Sequence, residues 1–368
     1  MLEPLAKHYG AKLSVLCSEL AAPIYENNPN VSDIQTFDRG RAQQDVAYLA
    51  ALIERLGQSD ADLLINSVFS RDTFSDLISA ACRADKKIGF YGDLCNQSDE
   101  QRKNHTAVYS SVISSEKIAL PELRRHKEFL EGLGIPASDL RPVINLTPEE
   151  SSFAEEFYAN HSLDPARTLV IGPISQHGIK NYPHWTKVLT DLCELDGFSL
   201  LVLGASSDRA ESTRILRNIP GKHVIACGET SLRQSASLIS KGRCVLAVDT
   251  SIPHIAAALG VPNVVVLGGG HFGRFFPYSS LTSVVCLPLE CYGCSWGCRF
   301  SEPHCITGIH PQVVAEAVRN TIKAKSNKPR VFMQGQSLWK AQVPRMQSFE
   351  KLLDPSTIEL ILVDAMAT

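Results

Sequence analysis

The chain has 368 residues, 44% of them hydrophobic, enough for two domains because single cores rarely grow past about 250–300 residues. With 39 Asp and Glu against 36 Lys and Arg the formal net charge is -3, so no broad cationic field exists to hold a phosphate backbone and nucleic acid is not an expected partner. The opening residues carry Glu3, Lys7 and Lys12 in place of an apolar leader, and no run approaches the ~20 apolar residues of a bilayer span, so a cytoplasmic protein without a transmembrane segment is expected.

Short apolar runs alternate with amphipathic stretches from the start. Strands are predicted over 12–17, 32–37, 61–67 and 86–90, and helices over 42–57 and 72–83. In the first of these helices Val46, Leu49 and Ile53 share a face, and Gly57 supplies a stop. Residues 91–117 are polar without periodicity and read as a loop, either facing a cleft or simply solvated. A helix follows over 121–134, and Pro136, Pro142 and Pro148 then punctuate the interdomain crossing.

The second half repeats the rhythm more sharply. A strand over 167–172 leads to a helix over 183–197, with Pro183 near its first turn and Gly197 at its end, and then to a strand over 198–204. Alternating elements continue through 207–219, 223–228, 231–240, 244–249, 252–260 and 263–269. Near-continuous apolar strands need helices on both faces, so parallel βαβ units are expected and each half reads as α/β and Rossmann-like. Neither half contains G-x-G-x-x-G, and Gly268, Gly269 and Gly270 read as a tight turn or a weak phosphate cradle. A helix over 312–325 follows. The tail beyond it, with Leu338, Trp339 and the apolar run 358–366, is expected to pack on the first domain or on a second subunit. The predicted division is 1–150, 151–322 and an extension over 323–368.

Two loops in the second half carry candidate chemistry. A buried strand ends at Asp249, where Thr250 and Ser251 can cap a helix beginning near Pro253. Its unpaired N–H groups would face the crevice at the strand ends, a geometry that accepts a diphosphate. His254 in the first turn is a phosphoryl donor or a satisfied half-buried side chain. The loop 172–185 holds Ser175, His177 and Lys180, and a lysine there can neutralise charge developing on a departing nucleotide diphosphate. In 271–280, Arg274 either reaches the cleft or stays a surface charge beside core Phe275 and Phe276. Asp72 and Asp93 are candidate bases, or a helix cap and a turn residue.

Four of the eleven cysteines, Cys291, Cys294, Cys298 and Cys305, fall within 291–305. The other seven are scattered singly, as reduced thiols would be, which favours a structural iron or zinc site over disulfides. Cys286 and His304 are alternative ligands. Trp296 is expected to pack around the cysteines.

The pieces KNYPHW (180–185), GETSLRQSASLI (228–239), AVDTSIPHIAAALGVPNVVVLGG (247–269) and GRFFPY (273–278), followed by the cysteine cluster, resemble in that order the heptosyltransferase-like glycosyltransferases of family 9. The resemblance implies a GT-B fold, two Rossmann-like domains facing a cleft. It also implies transfer of a sugar, commonly heptose from an ADP-activated donor, to a glycan, lipid or protein acceptor. Lys180 matches the family's catalytic, phosphate-meeting lysine, Asp249, Thr250 and Ser251 the diphosphate loop, His254 its histidine, and Thr230 and Leu232 the segment lining the base, with Ser175 and Arg274 completing the donor site. Ser251 stands where the family commonly has glycine. Relatives with a cysteine-held iron site extend the metal expectation, while the transfer itself needs no metal ion. The family normally begins with a strand and a Gly-Asp loop bearing the base, whereas this sequence opens within the following helix, so a missing segment or a relocated base is expected. The alternatives to an enzyme are a noncatalytic nucleotide-sugar-binding or regulatory protein of the same fold, and self-association is left open.

Overall fold

The computed structural model describes residues 1–115, 120–137, 140–323, 326–335, 343–344, 346 and 356–363. The chain forms two compact units, Met1–Leu140 and Arg141–Thr368. Among the described residues no helix is long and apolar enough to cross a membrane.

In the first unit β1 (Leu13–Ser18) pairs in parallel with β2 (Val31–Phe37), and β3 (Ala61–Asn66), β4 (Ala84–Phe90) and β5 (Ser111–Ile113) form a second parallel sheet in that order. The helix expected over 42–57 is two, Arg39–Gln44 and Val46–Gly57. Asp45 separates them with an extended backbone, and its carboxylate accepts the Tyr48 amide, a better use for aspartate than a helix interior. The buried face is therefore Leu52 and Leu56 with Leu49 alongside, while Val46 is 82% exposed, against the expected stripe. The region expected as a loop, 91–117, contains the helix Asp99–Thr106 as well as β5. That helix buries no residue, so it has no apolar period to find; a reciprocal Ser98–Gln101 capping box fixes its start.

A polar network lies under the β3 and β4 ends. The Arg71 guanidinium, fully buried, donates to Asp76 at 2.7 Å and to the Tyr91 carbonyl at 3.1 Å. Tyr109 donates its hydroxyl to the same Asp76 oxygen at 2.7 Å and accepts from Asn66 at 2.8 Å, while His105 lies 3.3 Å from the other oxygen.

The second unit holds eight parallel strands: β6 (Thr168–Gly172), β7 (Ser199–Val202), β8 (His223–Ile225), β9 (Cys244–Val248), β10 (Asn263–Val266), β11 (Thr282–Cys286), β12 (Arg330–Gln334) and β13 (Glu359–Val363). Their order across the sheet is β13-β12-β11-β10-β9-β6-β7-β8. Alternate residues serve opposite faces: Leu169, Ile171, Leu246 and Val248 join the helices Trp185–Asp196 and Pro311–Lys323, whereas Val170, Val245 and Ala247 join Pro148–Asn160 and Leu232–Lys241. Each of the Leu, Ile and Val side chains among them contributes about 1.5–3 kcal/mol through burial. The helix Pro148–Asn160, through which the division expected at 150 would run, is tied to Leu232–Lys241 by Arg233, which donates to Glu150 and to the Asn145 carbonyl. Of the expected tail, β12 and β13 extend this sheet, and Leu338 and Trp339 lie outside the described residues.

Asp76→Ala strips the partner from a buried arginine, so it is expected to cost about 3–5 kcal/mol. A urea titration with the wild-type chain alongside measures this, and a variant of unchanged midpoint would refute the importance of the network.

Candidate functional site at the strand switch point

Chain order reverses at β6: β7 and β8 grow on one side of it, and β9 then crosses back to its other side. In an open parallel sheet such a reversal leaves a crevice beyond the carboxyl ends of the two strands. The loops that leave β6 and β9 hold the two candidate segments, so topology alone brings Lys180 and Asp249 together. The Lys180 ammonium donates to the Asp249 carboxylate at 2.7 Å, with the two side chains 16% and 8% exposed.

Local sequence fixes both loops. The Trp185 indole donates to the Pro173 carbonyl at 2.9 Å, the Tyr182 hydroxyl to the Ile309 carbonyl at 2.9 Å, and His184 Nε2 lies 2.8 Å from the Thr307 carbonyl. Within the loop Asn181 accepts the Ser175 amide at 2.7 Å, and Ser175 Oγ accepts the His177 amide. On the other side the helix Ser251–Ala258 follows β9. Thr250 is its N-cap residue but makes no side-chain cap; its hydroxyl turns back to the Val248 carbonyl at 3.3 Å. Side-chain capping by Thr250, expected from sequence, is therefore absent, and Pro253 has no N–H to offer. Gly172 permits close approach of strand and helix, since a Cβ there would fall 2.7 Å from Ile252.

These loops surround a cavity of about 630 Å³. Ser175, Lys180, Thr230, Leu232, Asp249, Thr250, Ser251 and His254 all line it. Arg274 is not in its wall; the guanidinium stacks on Phe275, which is, with 4.9 Å to the ring centroid. Sequence reasoning missed Leu203, Gly204, Ala205 and Asp208, which follow β7 and complete the wall; their position at a third strand end was the available signal.

His254 stacks on Phe276 with centroids 4.2 Å apart, and its Nδ1 lies 3.0 Å from the Tyr278 hydroxyl. Burial lowers its pKa to about 4, with Asp249 opposing and Lys180 reinforcing the shift, so the ring is neutral at neutral pH. Burial also raises the Tyr278 pKa. When that hydroxyl donates to Nδ1, the ring proton sits on Nε2, a neutral hydrogen-bond donor.

The glycosyltransferase family 9 (heptosyltransferase) profile matches residues 49–302. The chain belongs to that family. Lipopolysaccharide heptosyltransferase 1 of Pseudomonas aeruginosa is 26% identical over 153 residues, 37% of this chain and 42% of that protein, so the matched part spans under half of this relative. A family 9 glycosyl transferase from Veillonella parvula superposes with a TM-score of 0.72 at 18% identity, covering 87% of this chain and 91% of that one. The E. coli ADP-heptose lps heptosyltransferase II gives 0.63 at 20% identity, with 87% and 92% covered. These likenesses establish a GT-B-like fold with two Rossmann-type parallel-sheet domains.

The iron or zinc site expected from the cysteine cluster, on Cys291, Cys294, Cys298 and Cys305, is not formed among the described residues. Among the described residues no group of three or more His, Cys, Asp or Glu side chains is placed to hold a metal ion. All four remain free thiols, and Cys286 is a buried core residue at the end of β11. The segment is seated instead on the glycine turn after β10. The Gly269 carbonyl accepts the Gly293 amide at 2.8 Å, and the Gly270 carbonyl accepts the Ser295 amide at 3.0 Å. A Cβ at Gly269 would lie 2.2 Å from the Tyr292 ring, and one at Gly270 would lie 2.3 Å from the Trp296 ring, so these glycines are seats for aromatic rings.

Because the His254 pKa is depressed in the folded state, the unfolded chain binds more protons between about pH 6.5 and pH 4. Stability from this residue is intact above that window and falls as pH drops through it, by about 3 kcal/mol in full. His254→Gln is therefore expected to flatten the acid limb of a plot of melting temperature against pH; an unaltered limb would contradict the burial assignment.

Proposed function

We propose that the protein transfers a sugar, heptose by preference, from a nucleotide diphosphate donor to a hydroxyl of a glycan, lipid or protein acceptor. The observation that carries this reading is the Lys180–Asp249 pair beside the start of the helix Ser251–Ala258, inside one cavity at the switch point. Family membership and the name of the P. aeruginosa relative favour heptose, and the name of the E. coli relative favours ADP as its carrier.

In this reading the second unit holds the donor and the first unit, Met1–Leu140, serves the acceptor. The diphosphate lies across the Thr250–Ser251 turn, with Ser175 and neutral His254 as further donors and the base against Thr230 and Leu232. The acceptor oxygen attacks the anomeric carbon, a carboxylate base takes its proton, and the bond from that carbon to the diphosphate oxygen breaks. Lys180 meets the charge appearing on the leaving group. Positive charge comes from the ammonium and the helix amides, so no divalent ion enters the step. Asp72 is not assigned as the base. Burial raises its pKa, but the Ser75 amide and Arg39 outweigh that and hold the carboxyl low, which weakens it as a proton acceptor. Asp93 is occupied by the Ser70 hydroxyl at 2.8 Å and the Cys95 amide at 3.1 Å. In this reading the protein acts in the cytoplasm.

Ligand-detected NMR over a panel of nucleotide diphosphate sugars tests the donor class. Selective binding of an ADP-heptose is expected, and binding of no donor would replace the enzyme reading with the regulatory one. Lys180→Ala is expected to lower turnover about 100-fold or more, in line with loss of one preorganised electrostatic donor, while chelator treatment leaves wild-type turnover intact. Undiminished turnover in Lys180→Ala would refute the lysine's role.

A further inference from the structure

Trp296 touches the donor cavity's lysine from outside the cavity's own loops. Its ring centroid lies 5.1 Å from the Lys180 ammonium, which therefore has an ionic partner in Asp249 and an aromatic face as a second one. The residue is held there against local preference: Ser295 and Trp296 both adopt left-handed backbone conformations, with φ of 49° and 65°. Such conformations persist in non-glycine residues when the surroundings over-determine them, and they cluster at functional sites. Here the determinants are specific. The Ser295 amide donates to Gly270, the Gly297 amide to Cys294 at 2.9 Å, and the Cys298 amide to Trp296 at 2.9 Å, while the absent Cβ of Gly270 makes room for the indole. The indole Nε1 is buried without a hydrogen-bond partner among the described residues, a cost accepted to place the ring.

We infer that Trp296 is a positioning residue for Lys180: its face keeps the ammonium at the mouth of the donor cavity when the lysine exchanges part of its bond to Asp249 for a diphosphate. The inference rests on the proposed donor site, and it gives the cysteine-bearing segment a purpose without a metal, as the mount for that ring. The exchange is favoured because an arriving anion competes with Asp249 for the same cation, whereas the ring, with no net charge, opposes the anion far less than a second carboxylate would.

Two measurements on the full chain separate this inference from the reading beneath it. Without ligand, in protein carrying 13C-labelled lysine, the Lys180 side-chain methylene signal next to the ammonium is expected upfield of the other lysines through the ring current, and at their position in Trp296→Leu. With ADP as the probe, Trp296→Leu is expected to weaken binding about fivefold, the scale of a partly desolvated cation–π contact, and adenosine binding is expected to be unchanged. Lys180→Ala also weakens ADP, and adding Trp296→Leu to it costs nothing more. Trp296→Phe, which keeps a ring, restores most of the loss and guards against a folding defect. A Lys180 signal that ignores Trp296, equal losses for adenosine and ADP, or additive effects in the double variant would overturn the inference. Unchanged ADP binding in Lys180→Ala alone would instead refute the donor-site reading, and with it the purpose assigned to Trp296.

Discussion

The site depends on one constraint, the side-by-side placement of β6 and β9 where the order of parallel strands reverses. Two loops distant in sequence must then leave the sheet next to each other, and the Lys180–Asp249 pair follows at 2.7 Å. A buried ion pair is a poor source of stability, since desolvation consumes most of its Coulomb energy. Its value here lies in direction: Asp249 holds the lysine aimed along the helix start, where an anion can take over part of its role.

Around that pair the wall is made of residues already engaged with one another. Tyr182, His184 and Trp185 anchor the first loop to carbonyls of the protein body, and Phe276 and Tyr278 hold His254 neutral. Preorganisation of this kind lets a site meet developing charge without rearranging. The glycine turn and the cysteine segment belong to the same scheme, since Tyr292 and Trp296 fill the space the glycines leave and bring an aromatic face to Lys180.

Much of the second unit was legible in the sequence because its strands are continuous apolar runs and its loops keep polar residues in a recognisable order. The first unit was harder. Asp45 interrupts an otherwise convincing helix by capping its own successor, and Asp99–Thr106 has no apolar face to betray it, although Ser98 and Gln101 carried a capping signal. The cysteines misled for a physical reason: spacing reports which residues are near in sequence, whereas ligation needs side chains converging on one point, and among the described residues these four do not. Arg274 was drawn to the cavity by its neighbours, and Phe275 is the residue that lines it.

The central claim, that the Lys180 and Asp249 loops together form a diphosphate site, is tested most directly by a crystal structure of the chain with ADP. We expect the phosphates against the Thr250–Ser251 turn, the Lys180 ammonium moved from Asp249 onto a phosphoryl oxygen, and the base beside Thr230 and Leu232. ADP bound elsewhere, with the Lys180–Asp249 pair undisturbed, would contradict it.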